Sequence, residues 1–188
     1  LGSTTAICTD KTGTLTMNQM TVRKIFANGK IITVSGRGYN NIGNFYHKKE
    51  KINPKEIELL LKSGALCNDA ELSGKEVIGD PTEGALIVSA AKAGIIKDDL
   101  EEVYPRYAEL QFDSERKRMS THHKIKNKPI VFTKGAPDLL LEKCDKIYKN
   151  GKIERLTRKD KKNILKMNKK FASQALRVLG FAYKESEK

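Results

Sequence analysis

Residues 10–16 read Asp-Lys-Thr-Gly-Thr-Leu-Thr and follow the apolar run Thr5-Ala6-Ile7-Cys8. The pattern predicts a short buried strand, Thr5 to Thr9, with the Asp10 carboxylate at its end. Gly13 and several hydroxyls follow at once, and no helix former takes over. An aspartyl nucleophile that is to be phosphorylated needs this setting. A carboxylate is a weak nucleophile, so the charge on the transferring phosphoryl group must be neutralised. Mg²⁺ and Lys or Arg side chains normally do that. Lys11 is adjacent, but alternation along a strand points it to the face opposite Asp10.

No GxxxxGK[ST] string occurs, so a P-loop is excluded as the nucleotide-binding device. Five other strings stand out. They are Cys67-Asn68-Asp69-Ala70, Gly79-Asp80-Pro81-Thr82-Glu83-Gly84-Ala85-Leu86, Phe112-Asp113-Ser114-Glu115-Arg116-Lys117-Arg118-Met119-Ser120, Lys134-Gly135-Ala136-Pro137-Asp138 and Leu176-Arg177-Val178-Leu179-Gly180. Together with DKTGTLT they run in one order from Asp10 to Gly180. This set resembles the P-type (E1-E2) cation-transporting ATPases of type II, most closely the calcium-pump branch. DKTGTLT is similar letter for letter to that family's phosphorylation signature. Lys134 to Asp138 resembles KGAPE, with Asp in place of the usual Glu.

The resemblance implies roles. Asp10 would be the phosphorylated nucleophile, with Lys11, Thr12 and Thr14 in the same catalytic loop. Asp10 and the Thr12 carbonyl would hold Mg²⁺, and the Thr12 and Thr14 hydroxyls would contact phosphate. ATP would be held by Glu83, Phe112, Lys117, Met119, Lys134, Gly135 and Arg177. Residue type suggests how. Phe112 can stack on adenine and Met119 can pack against it. Lys134 can supply charge at the ring's edge, and Glu83 can accept from the adenine amino group. Lys117 and Arg177 can meet the phosphates. The family's second phosphate-binding loop and its GDGxND-type Mg²⁺ loop have no matching strings here.

Each residue has a plainer reading. Glu83 is also the third helical residue of a D-x-x-E capping box. Phe112 could be an ordinary core residue, and Lys117 and Arg177 could be merely solvated. Lys134-Gly135 could be a turn with Gly135 at positive φ. His47, His122 and His123 read as surface or strand positions rather than ligands. Cys8, Cys67 and Cys144 are odd in number and form no CxxC pair, so they read as reduced, half-buried or buried thiols.

The elements that must position these groups follow from local signals. Val22 to Ala27 and Ile31 to Val34 flank Asn28-Gly29, a strong hairpin turn signal. Gly36 to Glu50 reads as a surface loop. Asn53-Pro54, Asp80-Pro81 and Thr157 announce three helix starts, and Gly94 stops the second. Pro137 opens a short helix over Leu139 to Leu141. Strands are expected at Tyr107 to Phe112, Arg118 to Ile125, Ile130 to Lys134, Lys146 to Tyr148 and Val178 to Tyr183. Turns are expected at Asn127-Lys128 and Asn150-Gly151. The pattern is α+β, a largely antiparallel sheet flanked by helices. The resemblance adds the first strand of a Rossmann-like, haloacid-dehalogenase-type P domain. The expected division is 1–21, part of the P domain with its phosphorylation loop and hinge, and 22–185, the nucleotide-binding (N) domain.

The chain has 188 residues, 31% of them charged, and a formal net charge of +13. It has no apolar run near the ~20 residues of a membrane helix. The start, Leu1-Gly2-Ser3, shows no signal peptide and suggests a piece of a longer polypeptide. Much of the charge lies in Lys48 to Lys55 and Arg155 to Lys170, which read as solvated faces without interleaved aromatics. The resemblance makes this an ATP-binding, monomeric, cytoplasmic piece of an integral membrane pump. Its partners would be the rest of the P domain, the A domain and the transmembrane helices, and no nucleic acid. Two other classes stay open. A soluble haloacid-dehalogenase-type phosphatase shares the strand-end Asp, but usually has a second Asp where Thr12 stands. A basic nucleic-acid-binding module would rest on the charge alone.

Overall fold

Asn28 and Gly29 take φ of 53° and 72°, the backbone of a tight hairpin turn. The turn joins β1 (Lys24–Ala27) to β2 (Lys30–Val34) with Ala27 opposite Lys30. The computed structural model describes residues 19–74, 76–126 and 128–185. The expected strand Thr5 to Thr9, the loop carrying Asp10, Lys11, Thr12 and Thr14, Met17 of the hinge and Asn127 lie outside those residues.

The region from Gly36 to Glu50 is not all loop. It contains β3 (Phe45–His47), and β4 (Glu50–Lys51) follows, completing a sheet of order β1-β2-β3-β4. β3 and β4 are too short to show alternation, and Phe45 is the one buried residue of the two. The second four-stranded sheet has the order β12-β9-β8-β7. Its members are β7 (Arg106–Asp113), β8 (Arg118–Ile125), β9 (Lys128–Gly135) and β12 (Gly180–Glu185). Two small hairpins complete the strands: β5 (Glu71–Ser73) with β6 (Glu76–Ile78), and β10 (Lys146–Lys149) with β11 (Lys152–Arg155). Every pairing is antiparallel, so the expected α+β class holds.

The helix starts fall where the caps put them. Asn53 caps a 3-10 turn, Pro54–Ile57, which leads into α1 (Glu58–Leu66). Asp80 accepts from Thr82 N and Glu83 N and starts α2 (Pro81–Ala91). Thr157 and Asp160 form a reciprocal capping box on α5 (Arg158–Ala172). Pro137 starts α4 (Pro137–Glu142). A further helix, α3 (Lys97–Val103), has no side-chain cap and buries only Leu100.

One core joins these layers. Ile32, Val34 and Phe45 of the first sheet, Leu61, Ala65, Leu66 and Ile87 of α1 and α2, and Met119, Ile130 and Phe132 of the second sheet are all buried in it. The lysines along α5 sit mostly on its exposed side, as a solvated face requires. His47 and His122 occupy strand positions, half-buried. His123 is also in a strand but fully buried, and its Nδ1 is 2.8 Å from the Tyr104 carbonyl.

Candidate functional site

Alternation along β8 and β9 fixes which side chains face α1 and α2. Met119, Thr121 and His123 pair across to Lys134, Phe132 and Ile130, and all six are buried. A buried lysine in such a row must be partnered. Lys134, 7% exposed, forms an ion pair with Glu83 from the first turn of α2.

Glu83 is held from three sides. Its Oε1 takes the Lys134 ammonium, and its Oε2 accepts from the backbone N–H groups of Asp69 and Ala70 at 2.9 and 3.1 Å. A carboxylate has about four acceptor sites, so one remains. The side chain therefore does not close a capping box, because Asp80 alone caps α2. The loop that supplies the two amides is itself held by Asn68, which is fully buried. Asn68 donates to the carbonyls of Gly64 and Glu83 and accepts from Ala70 N. The Cys67-Asn68-Asp69-Ala70 string thus wraps the carboxylate of Glu83. Sequence reasoning noted the string and gave it no role; its signal was its joint occurrence with Glu83. Burial, chiefly, pushes the Cys67 thiol above its ordinary pKa, so it stays protonated.

Phe112 is not a core residue. It is 63% exposed. Between the pairs Leu110↔Ser120 and Asp113↔Arg118 the register shifts, so Gln111 and Phe112 both stand opposite Met119. Met119 in turn stands opposite Lys134. With strands ~4.8 Å apart, the backbones of Phe112 and Lys134 are about 10 Å from one another. An exposed ring, a buried thioether and a lysine paired to a carboxylate lie side by side.

Lys117 closes the β7–β8 turn. Asp113 shapes that turn by accepting from Glu115 N and Arg116 N, and Lys117 takes φ of 49°. The Lys117 carbonyl accepts from Ala136 N at 3.0 Å, which ties the turn to the end of β9. Its side chain is exposed. Gly135 sits beneath. A Cβ there would lie 2.5 Å from the Lys117 carbonyl oxygen and 2.7 Å from Arg118 Cβ. The glycine answers close approach rather than a positive-φ turn.

Arg177 lies apart from this row. It is exposed and donates to Thr82 Oγ1 at 3.2 Å, beside Glu83 on α2. Burial raises the Asp80 pKa, but hydrogen bonds from Thr82 and Glu83, with Arg177 adding to them, hold the carboxyl below its ordinary value. The structure therefore gathers Glu83, Phe112, Lys117, Met119, Lys134 and Gly135 at one end of the second sheet, with Arg177 at the helix start beside them. Such a surface offers a stacking ring, two exposed cations and a polar interior edge. Among the described residues no cluster of three His, Cys, Asp or Glu could hold a metal ion. No described helix is long and apolar enough to cross a membrane.

The family described as P-type ATPase, cytoplasmic domain N, matches residues 56–188. The chain is 44% identical over 185 residues to a calcium-transporting ATPase 1 of Bacillus cereus, covering 98% of this chain and 19% of that protein. It is 41% identical to a calcium-transporting ATPase 1 of Lactococcus lactis, covering 98% and 20%. It is 37% identical over 191 residues to the human calcium-transporting ATPase type 2C member 1, covering 97% and 20%. The chain spans about a fifth of the length of these curated relatives.

Proposed function

The chain belongs to the family of P-type ATPase cytoplasmic N domains, and from that premise we propose that it is the ATP-binding unit of a calcium-transporting pump. The observation that carries this reading is the exposure of Phe112 beside Met119 and the Glu83–Lys134 pair. An aromatic ring 63% in water leaves its face open to a base, and base–aromatic stacking is worth about 1–3 kcal/mol. Adenine covers it in this reading. Phe112 stacks on one face, and Met119 lines the floor. The spare acceptor site on Glu83 takes the adenine amino group, while Lys134 fixes that carboxylate in place.

Lys117 and Arg177 extend from the two sides of this surface and take the phosphates. Arg177 offers a planar fork, and Lys117 a point charge on a flexible stem. Asp10 is the acceptor of the γ-phosphoryl group in the intact pump. Thr12 and Thr14 supply hydroxyls to it, and Lys11 belongs to the same loop. Mg²⁺, when bound, neutralises charge on the transferring group. The Asp10 carboxylate and the Thr12 carbonyl are hard oxygen donors of the kind that ion takes. The hinge near Met17 to Thr21 lets residues 22–185 carry ATP towards Asp10. In a pump, the remaining P domain, the A domain and the membrane helices would use the phosphoenzyme to move the ion. The names of the relatives favour calcium.

The test is a chemical-shift titration of the 188-residue chain with ATP. Shifts centred on Glu83, Phe112, Lys117 and Lys134 support the reading. Shifts confined to other surfaces sink it. No steady turnover is expected, since the strings for the second phosphate loop and the GDGxND loop do not occur here.

A further inference from the structure

A chain of polar groups runs along the rim of the proposed base site. It starts at Gln111, which with Phe112 stands opposite Met119. The Gln111 amide donates to Glu109 Oε1 at 3.2 Å, and Glu109 Oε2 pairs with Nη2 of Arg106. Nη1 of the same guanidinium donates to Asp69 Oδ1 at 2.7 Å. Asp69 N donates to Glu83 Oε2 at 2.9 Å, and Glu83 Oε1 takes the Lys134 ammonium. Lys134 stands opposite Met119 on its other side. The groups thus begin and end on the two strands that flank Met119.

The strand geometry makes this row possible. Glu109 and Gln111 share a face of β7 by alternation. Arg106 is an odd number of residues from both, and the register shift between Arg106 and Ala108 brings it to the same face. Its planar fork then meets two carboxylates at once, so Glu109 fixes the plane in which Arg106 grips Asp69.

That grip falls on the one side chain that lies between the two amides holding Glu83. The N–H groups of Asp69 and Ala70 sit on either side of the Asp69 α-carbon. Peptide planes are rigid, so the two backbone angles of Asp69 set the directions of both. Asn68 secures this loop from the interior. The Asp69 side chain is 52% exposed, and Arg106 is its partner among the described residues.

We infer that Arg106 is a positioning residue for recognition of the adenine amino group, a role that rests on the reading of Glu83 as the acceptor of that group. By gripping Asp69, Arg106 fixes the two amides, and the amides hold the Glu83 carboxylate with its spare acceptor site towards the base. Without Arg106, Glu83 keeps its Lys134 partner but loses its rotational setting. The loss therefore falls on the amino contact, while stacking on Phe112 and the phosphate contacts stay as they were.

The experiment compares ATP with purine riboside triphosphate, which is ATP without its amino group, by calorimetry on the whole chain. The ratio of the two affinities reads the amino contact and cancels what the ring, ribose and phosphates share. The wild-type chain should favour ATP about ten-fold, the factor of one hydrogen bond to a charged group. Arg106→Met should narrow the ratio to about three-fold or less by weakening ATP alone. A general loosening of the domain would weaken both nucleotides and leave the ratio unchanged. Asp69→Ala reaches the same contact from a half-exposed side chain without altering β7, and it should narrow the ratio to the same extent. Adding Arg106→Met to Asp69→Ala should change the ratio no further. Equal affinities of the wild-type chain for the two nucleotides overturn the reading of Glu83 and the role of Arg106 with it. A wild-type preference that persists in Arg106→Met or in Asp69→Ala overturns the role of Arg106 alone. So does a further narrowing when Arg106→Met is added to Asp69→Ala.

Discussion

Lys134 at the end of β9 and Glu83 in the first turn of α2 form an ion pair, with side chains only 8% and 15% exposed. The pair fastens a helix start to a sheet end, and the loop Asp69-Ala70 closes over it from above. A buried pair of this kind is weak evidence for stability in itself, but breaking it strands a charge. Lys134→Ala should therefore destabilise the chain by about 3 kcal/mol, the low end for a buried pair, because Glu83 is still partly wet. The double variant Lys134→Ala, Glu83→Gln should cost clearly less than the sum of the singles Lys134→Ala and Glu83→Gln. Urea denaturation of the four proteins measures this, and additive costs would deny that the pair is coupled.

Gly135 makes a sharper geometric statement. Its Cβ position is filled by the Lys117 carbonyl oxygen at 2.5 Å, and that oxygen belongs to backbone tied to Ala136 N. Gly135→Ala must push the β7–β8 turn outward. We expect a loss of about 1–3 kcal/mol, the range for overpacking, together with weaker ATP binding because Lys117 is displaced. A variant as stable as the wild-type chain by thermal melting contradicts this.

Acid should act at Asp160. The Lys149 ammonium at 2.6 Å, with the Thr157 hydroxyl and backbone N–H, holds its pKa down to about 2. An ordinary Asp titrates near 3.9. The folded value lies below the unfolded one, so this group's contribution is fully present above about pH 4. It is lost as pH falls from there through about 2. Asp160→Asn should flatten the stability profile in that window while leaving the profile near neutrality parallel to the wild type.

His123 acts in a different window. Burial, chiefly, depresses its pKa, opposed by the bond to the Tyr104 carbonyl; Arg106 adds to the depression and Glu101 opposes it. The carbonyl accepts, so Nδ1 carries the proton, and Nε2 has no partner among the described residues. Below the ordinary histidine pKa of about 6.5 the unfolded chain takes up a proton that the folded chain resists. Stability should fall as pH drops through that value. His123→Gln should remove that slope, and a slope that persists would place its origin elsewhere.

Local signals made half of this fold legible. Asn53, Asp80 and Thr157 each cap a helical segment with their own side chains, and Asn28-Gly29 and Asn150-Gly151 each set a hairpin. Those devices act within four residues, so the sequence displays them. The helix α3 has Ile96 at its cap and one buried residue, which leaves no local mark. The strand β11 is exposed along its length and exists only by pairing with β10. At the proposed site, motif resemblance named candidate residues but not their connections. That Glu83 receives the Asp69 and Ala70 amides depends on two loops meeting, as does the pairing of Lys117 O with Ala136 N.

The account stands on Phe112 as a stacking platform. ATP affinity of the wild-type chain and of Phe112→Ala, measured side by side by calorimetry, tests it most directly. Base stacking is worth about 1–3 kcal/mol, so the variant should bind ATP at least five-fold more weakly, with its fold intact because Phe112 is mostly in water. Equal affinities in two equally stable proteins would contradict the account.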